Sequence, residues 1–135
     1  MSIGNSYNTS TITVGHARKV WRSTSDVYPG GGVVENINDW KDKGVIPSGR
    51  PCKFDPKEKK VKVYTSEQVK AAAEGGVAAL GINGYIQEDI RVVDDKTIGT
   101  ATVVYAGEIY EYMFSDEEAT ILKANTATPQ IVWVY

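Results

Sequence analysis

The residue types that carry most enzyme chemistry are scarce in this 135-residue chain, with one histidine, His16, and one cysteine, Cys52, 36 positions apart. His and Cys alone cannot build a metal site here, because such sites draw three or four ligands. His16 sits in a Ser/Thr/Asn-rich stretch remote from any compact-domain signal. Cys52, in Pro51-Cys-Lys-Phe-Asp55, reads as an inward strand residue and not as a reactive thiol. No Gly-x-Ser-x-Gly elbow occurs, so a serine nucleophile has no setting. The carboxylates diverge. Glu108 and Glu111 flank Tyr110 at an odd strand spacing, Asp94 and Asp95 are adjacent in a turn, and Asp116, Glu117 and Glu118 read as first-turn acids of a helix. Neither a paired-carboxylate glycosidase nor a calcium loop is indicated. Pro29-Gly-Gly-Gly32 lacks the following helix and Lys-Ser/Thr of a phosphate loop and reads as a hinge. The expectation is a non-enzyme that holds no metal and no cofactor.

The elements around these residues are mostly strands. Cys52-Lys-Phe54 and Val61-Lys-Val-Tyr64 flank the turn Asp55-Pro-Lys-Glu-Lys59 as a hairpin, entered through the turn-dense Gly44–Pro51. Ile37 and Trp40 mark a short helical turn. Thr65-Ser-Glu-Gln68 predicts a capped helix stopping at Gly75-Gly76, and Ser115-Asp-Glu-Glu118 a second one completed by Ala119 to Ala124. Strands are predicted over Val77–Gly84, Thr100–Ala106, Glu108–Phe114 and Gln130–Tyr135, with a turn at Asp94-Asp95-Lys96. Tyr105, Tyr110, Tyr112 and Phe114 read as core or subunit-contact residues. The acids beside them argue against a platform for single-stranded nucleic acid.

Residues 1–30 read differently from the rest. Residues 1–25 carry Arg18, Lys19 and Arg22 and no acid, whereas the remainder carries a net charge of −5. Thr11-Ile-Thr-Val14 alternates in strand period, and Val20-Trp21 supplies a large apolar anchor. Residues 1–30 are therefore expected to form an N-terminal docking arm whose contacts are Ile12, Val14, Arg18, Lys19, Val20, Trp21 and Arg22. Residues 31–135 are expected to form the body. The fold class predicted is mainly β (α+β): a small β-barrel or tulip-like body with two short helices and an extended arm. With 41% hydrophobic residues a core can be filled. No apolar run approaches the ~20 residues of a membrane helix, and the first residues lack the pattern of a secretory signal. Neither membrane nor nucleic acid is expected as a partner.

The succession Val45-Ile-Pro-Ser-Gly-Arg-Pro-Cys-Lys-Phe-Asp, a charged turn, Val61-Lys-Val-Tyr, an Ala-Ala-Leu-Gly-Ile segment and Ala101-Thr-Val-Val-Tyr-Ala-Gly-Glu-Ile-Tyr resembles the accessory capsid proteins of tailed bacteriophages. These comprise the lambda head decoration protein with its relatives and the small head fibre proteins. The likeness covers about residues 31–135 and rests on pattern and order. It implies a homotrimer on the outer surface of the virion, bound to the major capsid protein by an N-terminal segment that adds a strand to the shell. It transfers no catalytic residue. The arm is longer and more basic than in lambda-like members. A second expectation is a β-domain binding module that recognises host-surface carbohydrate or protein through exposed Trp40 or Trp133.

Overall fold

The computed structural model of the chain describes residues 20–72, 76–94 and 96–135. The fold is mainly β, a curled half-barrel sheet with two short α-helices. Strands β1 (Trp21–Val27), β2 (Gly32–Val34), β4 (Pro51–Asp55), β5 (Lys60–Val63), β6 (Gly84–Ile86), β8 (Thr100–Ala101), β9 (Val103–Tyr110) and β10 (Ile131–Val134) form it. The order is β10-β9-β6-β4-β5-β2-β8, with β1 paired to β9. A separate two-stranded ribbon joins β3 (Val45–Ile46) to β7 (Ile90–Arg91). The helices are α1 (Ser66–Ala71) and α2 (Asp116–Lys123).

The β4–β5 hairpin forms where the alternation places it. Cys52, Phe54, Val61 and Val63 point inward while Lys53, Asp55 and Lys60 stay in solvent. Asp55 Oδ1 accepts hydrogen bonds from the Lys57 and Glu58 amides at 2.9 and 3.2 Å, closing the turn. Asn36 ties this hairpin to the 3-10 turn Ile37–Trp40: its side chain accepts from the Val63 amide at 2.9 Å and donates to the Val63 carbonyl at 2.6 Å. Trp40 and Ile37 fill the space beneath. Thr65 and Gln68 form the reciprocal capping box of α1, as the sequence predicts.

Because successive strand residues face opposite sides, the sheet feeds two cores. Trp21, Tyr64, Tyr85, Val104 and Ile109 join Val69 of α1 and Ala119 and Leu122 of α2 on one side. Cys52, Phe54, Val61, Val63, Ile86 and Val103 join Ile37, Trp40 and Ile46 on the other. Both sides of the sheet centre are thus covered.

Four sequence expectations are corrected. The arm does not extend to residue 30. Val20 is 1% exposed, and β1 runs antiparallel to β9, with Trp21 opposite Ile109 and Ser23 opposite Glu108. A large indole gains more from burial in the core than from solvent, so this part of the chain belongs to the body. The predicted hinge Pro29–Gly32 is consequently a turn that runs into Gly32, the first residue of β2, between two strands of one sheet, braced by the Lys59 ammonium donating to the Pro29 carbonyl at 3.3 Å. Val77–Leu80 is a 3-10 turn, and of the predicted strand Val77–Gly84 only Gly84 pairs, as the first residue of β6. Finally, the two strands predicted across residues 100–114 are redistributed as β8, an unbroken β9 and the 3-10 turn Glu111–Met113. The predicted stop of α1 at Gly75-Gly76 falls partly outside the described residues; the helix ends at Ala71, with Ala72 as its cap.

Candidate functional site

Of the seven predicted docking residues, Ile12, Val14, Arg18 and Lys19 lie outside the described residues. Val20 and Trp21 are corrected to structural anchors. Val20 packs against the backbone of Gly49, and its carbonyl accepts from the Tyr110 amide at 2.8 Å. The Trp21 indole N–H donates to the Ile86 carbonyl at 3.1 Å, and its ring meets Tyr85 edge-on at 6.4 Å. Neither side chain is available to a partner. Arg22 is exposed on the outer side of β1, with its guanidinium 3.6 Å from the Glu108 carboxylate. The structure thus brings Val20, Trp21 and Arg22 to one place, the start of β1, where the chain enters the sheet.

The strongest buried electrostatics lie elsewhere. Arg50, entering β4, is 4% exposed and meets Glu118 of α2 in a two-pronged pair. Nη1 donates to Oε1 at 2.9 Å and Nη2 to Oε2 at 2.8 Å. Nε and Nη2 also donate to the Tyr64 carbonyl at 3.1 and 3.0 Å. The sequence reading assigned Glu118 to capping. Only half of that box forms, with the Ser115 hydroxyl accepting from the Glu118 amide at 3.2 Å, because the carboxylate turns inward to Arg50. The pair clamps α2 onto the sheet. Its polar atoms are engaged, so it offers nothing to a substrate. Below it the Tyr85 hydroxyl lies near Thr128 without a hydrogen bond of ordinary geometry, and burial drives its phenol well above the usual range.

Cys52 is fully buried, and desolvation pushes its thiol far above the ordinary value, which suppresses the thiolate. The remaining acids are dispersed. Glu108 accepts from the Ser23 hydroxyl at 3.2 Å, Glu111 holds the Lys123 ammonium at 2.7 Å, and Asp89 accepts from the Ser48 amide at 2.6 Å. Asp94 closes its own turn by accepting from the Lys96 amide at 2.9 Å. Among the described residues no group of three His, Cys, Asp or Glu could hold a metal ion.

The aromatic residues divide between core and surface. Phe114 packs on Trp133 with ring centres 5.2 Å apart, and Tyr28 lies between Tyr105 and Phe54 at 4.7 and 4.9 Å. Trp40 is buried and donates to the Val63 carbonyl at 3.1 Å, while Trp133 is half-buried against the first core. The expectation of an exposed Trp40 is corrected. Its indole packs under the hairpin and cannot face a glycan. Tyr112 is exposed, and its ring lies tilted against that of Tyr110 with centres 5.4 Å apart. Among the described residues no helix is long and apolar enough to cross a membrane. Compared with protein-family models, curated proteins and solved structures, the chain matches none.

Proposed function

We propose that the chain is a structural virion protein, a decoration or head fibre protein that binds the outer surface of a tailed-phage capsid as a homotrimer and stabilises the head without enzymatic activity. The observation that carries this reading is the attachment point. The acid-free residues 1–19 join the body through Val20 and Trp21, both locked in the core, so a load on that segment passes directly to β9 and β6 at the centre of the sheet. A tether needs such a root. Docking falls to Ile12, Val14, Arg18 and Lys19, with Arg22 beside the root. Ile12 and Val14 recur at strand spacing and suit addition to an exposed sheet edge of the major capsid protein, while the cations favour acidic ground. Three copies raise the effective concentration of each segment once the first has bound.

The full chain carrying Ile12→Asp, Val14→Asp, Arg18→Glu and Lys19→Glu tests the reading by co-sedimentation with heads that lack the protein. Wild-type chain pellets with the heads and the variant stays in the supernatant, with unchanged thermal unfolding. Pelleting of both to the same extent sinks the docking role of these residues. Failure of the wild-type chain to pellet sinks the capsid reading.

A further inference from the structure

Positive charge is concentrated in two places on this chain. Residues 1–25 carry +3, and residues 51–64, the β4–β5 hairpin with its neighbours, carry +3 from five lysines against Asp55 and Glu58. The rest of the chain carries −8. Within the hairpin Lys53 stands directly opposite Lys62, a like-charge cross-strand pair with Cβ atoms roughly 5 Å apart, which works against the fold. No acid relieves it. Arg22, Lys43, Arg50 and Lys123 each hold a carboxylate, whereas among the described residues Lys53 and Lys62 hold none. Both side chains are nevertheless placed. The Lys62 ammonium lies 5.6 Å from the centre of the Tyr64 ring, and the stem of Lys53 runs so close to Gly81 that a Cβ there would stand 3.3 Å from Lys53 Cδ.

Alternation puts this pair on the same side of the sheet as Val20. Cys52, Phe54, Val61 and Val63 face the second core, so Lys53 and Lys62 face the side of the first, to which Tyr64 and Val20 belong. Lys53 also follows Gly49, the residue against which Val20 packs, by four positions, at most ~14 Å of chain. We propose that Lys53 and Lys62 are a contact on the body for a carboxylate-rich patch of the same protein that residues 1–19 dock on. The proposal rests on the docking reading above and adds to it a second foothold of stated chemistry. Carboxylates fit this face better than a phosphate chain. Asp55, opposite Lys60, interrupts the basic stretch, and the −8 of the surroundings repels a long polyanion, while a confined acidic patch touches only the positive pole. Tyr64, the ring beneath Lys62, is 5% exposed and cannot stack a base. Ammonium groups also lack the two-pronged fork that arginine offers to phosphate.

Fluorescence anisotropy of labelled poly-L-glutamate, titrated with the full chain at low salt, reads the contact. Wild type binds, and added salt weakens the binding. Lys53→Glu with Lys62→Glu weakens it at least about tenfold, because attraction turns to repulsion at two sites. Lys53→Glu alone weakens it less and raises the thermal midpoint, since the like pair becomes an opposite one. That gain separates a binding role from a structural one, and the single variant serves if the double one unfolds. Lys96→Glu, the same charge change in the Asp94 turn, leaves binding unchanged. Unchanged binding in the Lys53 and Lys62 variants, or a wild type that does not bind, overturns the proposal. Tighter binding of polyphosphate or single-stranded DNA overturns it in favour of a phosphate chain. Self-association in light scattering that the lysine variants abolish overturns it in favour of a second copy. Co-sedimentation with heads separates the two readings. Heads that pellet the double variant as fully as wild type overturn the contact and leave docking by residues 1–19 standing. Failure of wild type to pellet sinks the capsid reading, and the polyglutamate titration still decides the chemistry of the lysine pair.

Discussion

Replacing Glu118 with alanine removes two charge-assisted hydrogen bonds, at 2.9 and 2.8 Å, from an arginine that is 4% exposed. The guanidinium keeps its two bonds to the Tyr64 carbonyl but is left as a buried charge without a counterion. Breaking one side of such a pair costs about 3–5 kcal/mol, a large fraction of the ~5–15 kcal/mol that holds a domain together. For a chain of this size the expected fall in Tm is roughly 10–15 °C. Urea unfolding followed by tryptophan fluorescence measures the loss directly, since Trp21 and Trp133 belong to the core that α2 covers. The apolar double variant Arg50→Met with Glu118→Leu completes the argument. With no charge left to desolvate, it recovers most of the loss and matches wild type to within about 1–2 kcal/mol. If Glu118→Ala costs under about 1 kcal/mol, water reaches Arg50 and the clamp reasoning is refuted.

Gly49 has φ +84°, and a Cβ there stands 2.3 Å from Val20 Cγ1, so Gly49→Ala expels the anchor and costs about 2–4 kcal/mol in chemical denaturation. Trp21→Ala, which loses the core indole and its bond to the Ile86 carbonyl, costs about 3–5 kcal/mol by the same measurement, whereas a docking arm would tolerate it. Cys52 reacts with a thiol reagent only at the rate of unfolding, and fast labelling of the native protein contradicts its burial. The pH dependence has two limbs. Glu67 is held below its usual value by its backbone amide at the start of α1 and by Lys43, so its contribution is lost as pH falls through the carboxylate range. Lys123 is held above its usual value by its hydrogen bond to Glu111, so its contribution is lost as pH rises through its folded value. In a Tm–pH series, Glu67→Gln flattens the acid limb and Lys123→Gln the alkaline one.

Local chemistry made part of this fold legible in the sequence. The hairpin through Asp55, the cap at Thr65, the turn at Asp94 and the inward Cys52 each depend on residues within a few positions of one another. Features set by distant residues were hidden. β1 reads Trp-Arg-Ser-Thr-Ser-Asp-Val because only its first residue is buried, so it shows no alternation. Gly107 divides the pattern of β9 in two. Its missing side chain is required by β1, since a Cβ there would stand 2.6 Å from the Ser23 carbonyl oxygen. Glu118 resembled a capping acid until Arg50, 68 positions away, claimed its carboxylate. The candidate docking residues were legible only as a charge asymmetry and a four-residue alternation, and the docking roles of Val20 and Trp21 yielded to packing.

β9 has its two flanks occupied by opposite reaches of the polypeptide, β1 on one side and β6 followed by β10 on the other. Its residues thus wait for partners made both long before and shortly after it on the ribosome. Trp21 must stay unpaired until Ile109 has been synthesised, and β10 cannot close the other flank until Val134 has emerged. The sheet therefore completes only once residues 131–134 have emerged, as a non-local event. The indole stays exposed until Ile109 is made, and from then until Val134 emerges one flank of β9 stays bare. Premature encounters between nascent chains at this point would join the same surfaces that the finished molecule keeps hidden.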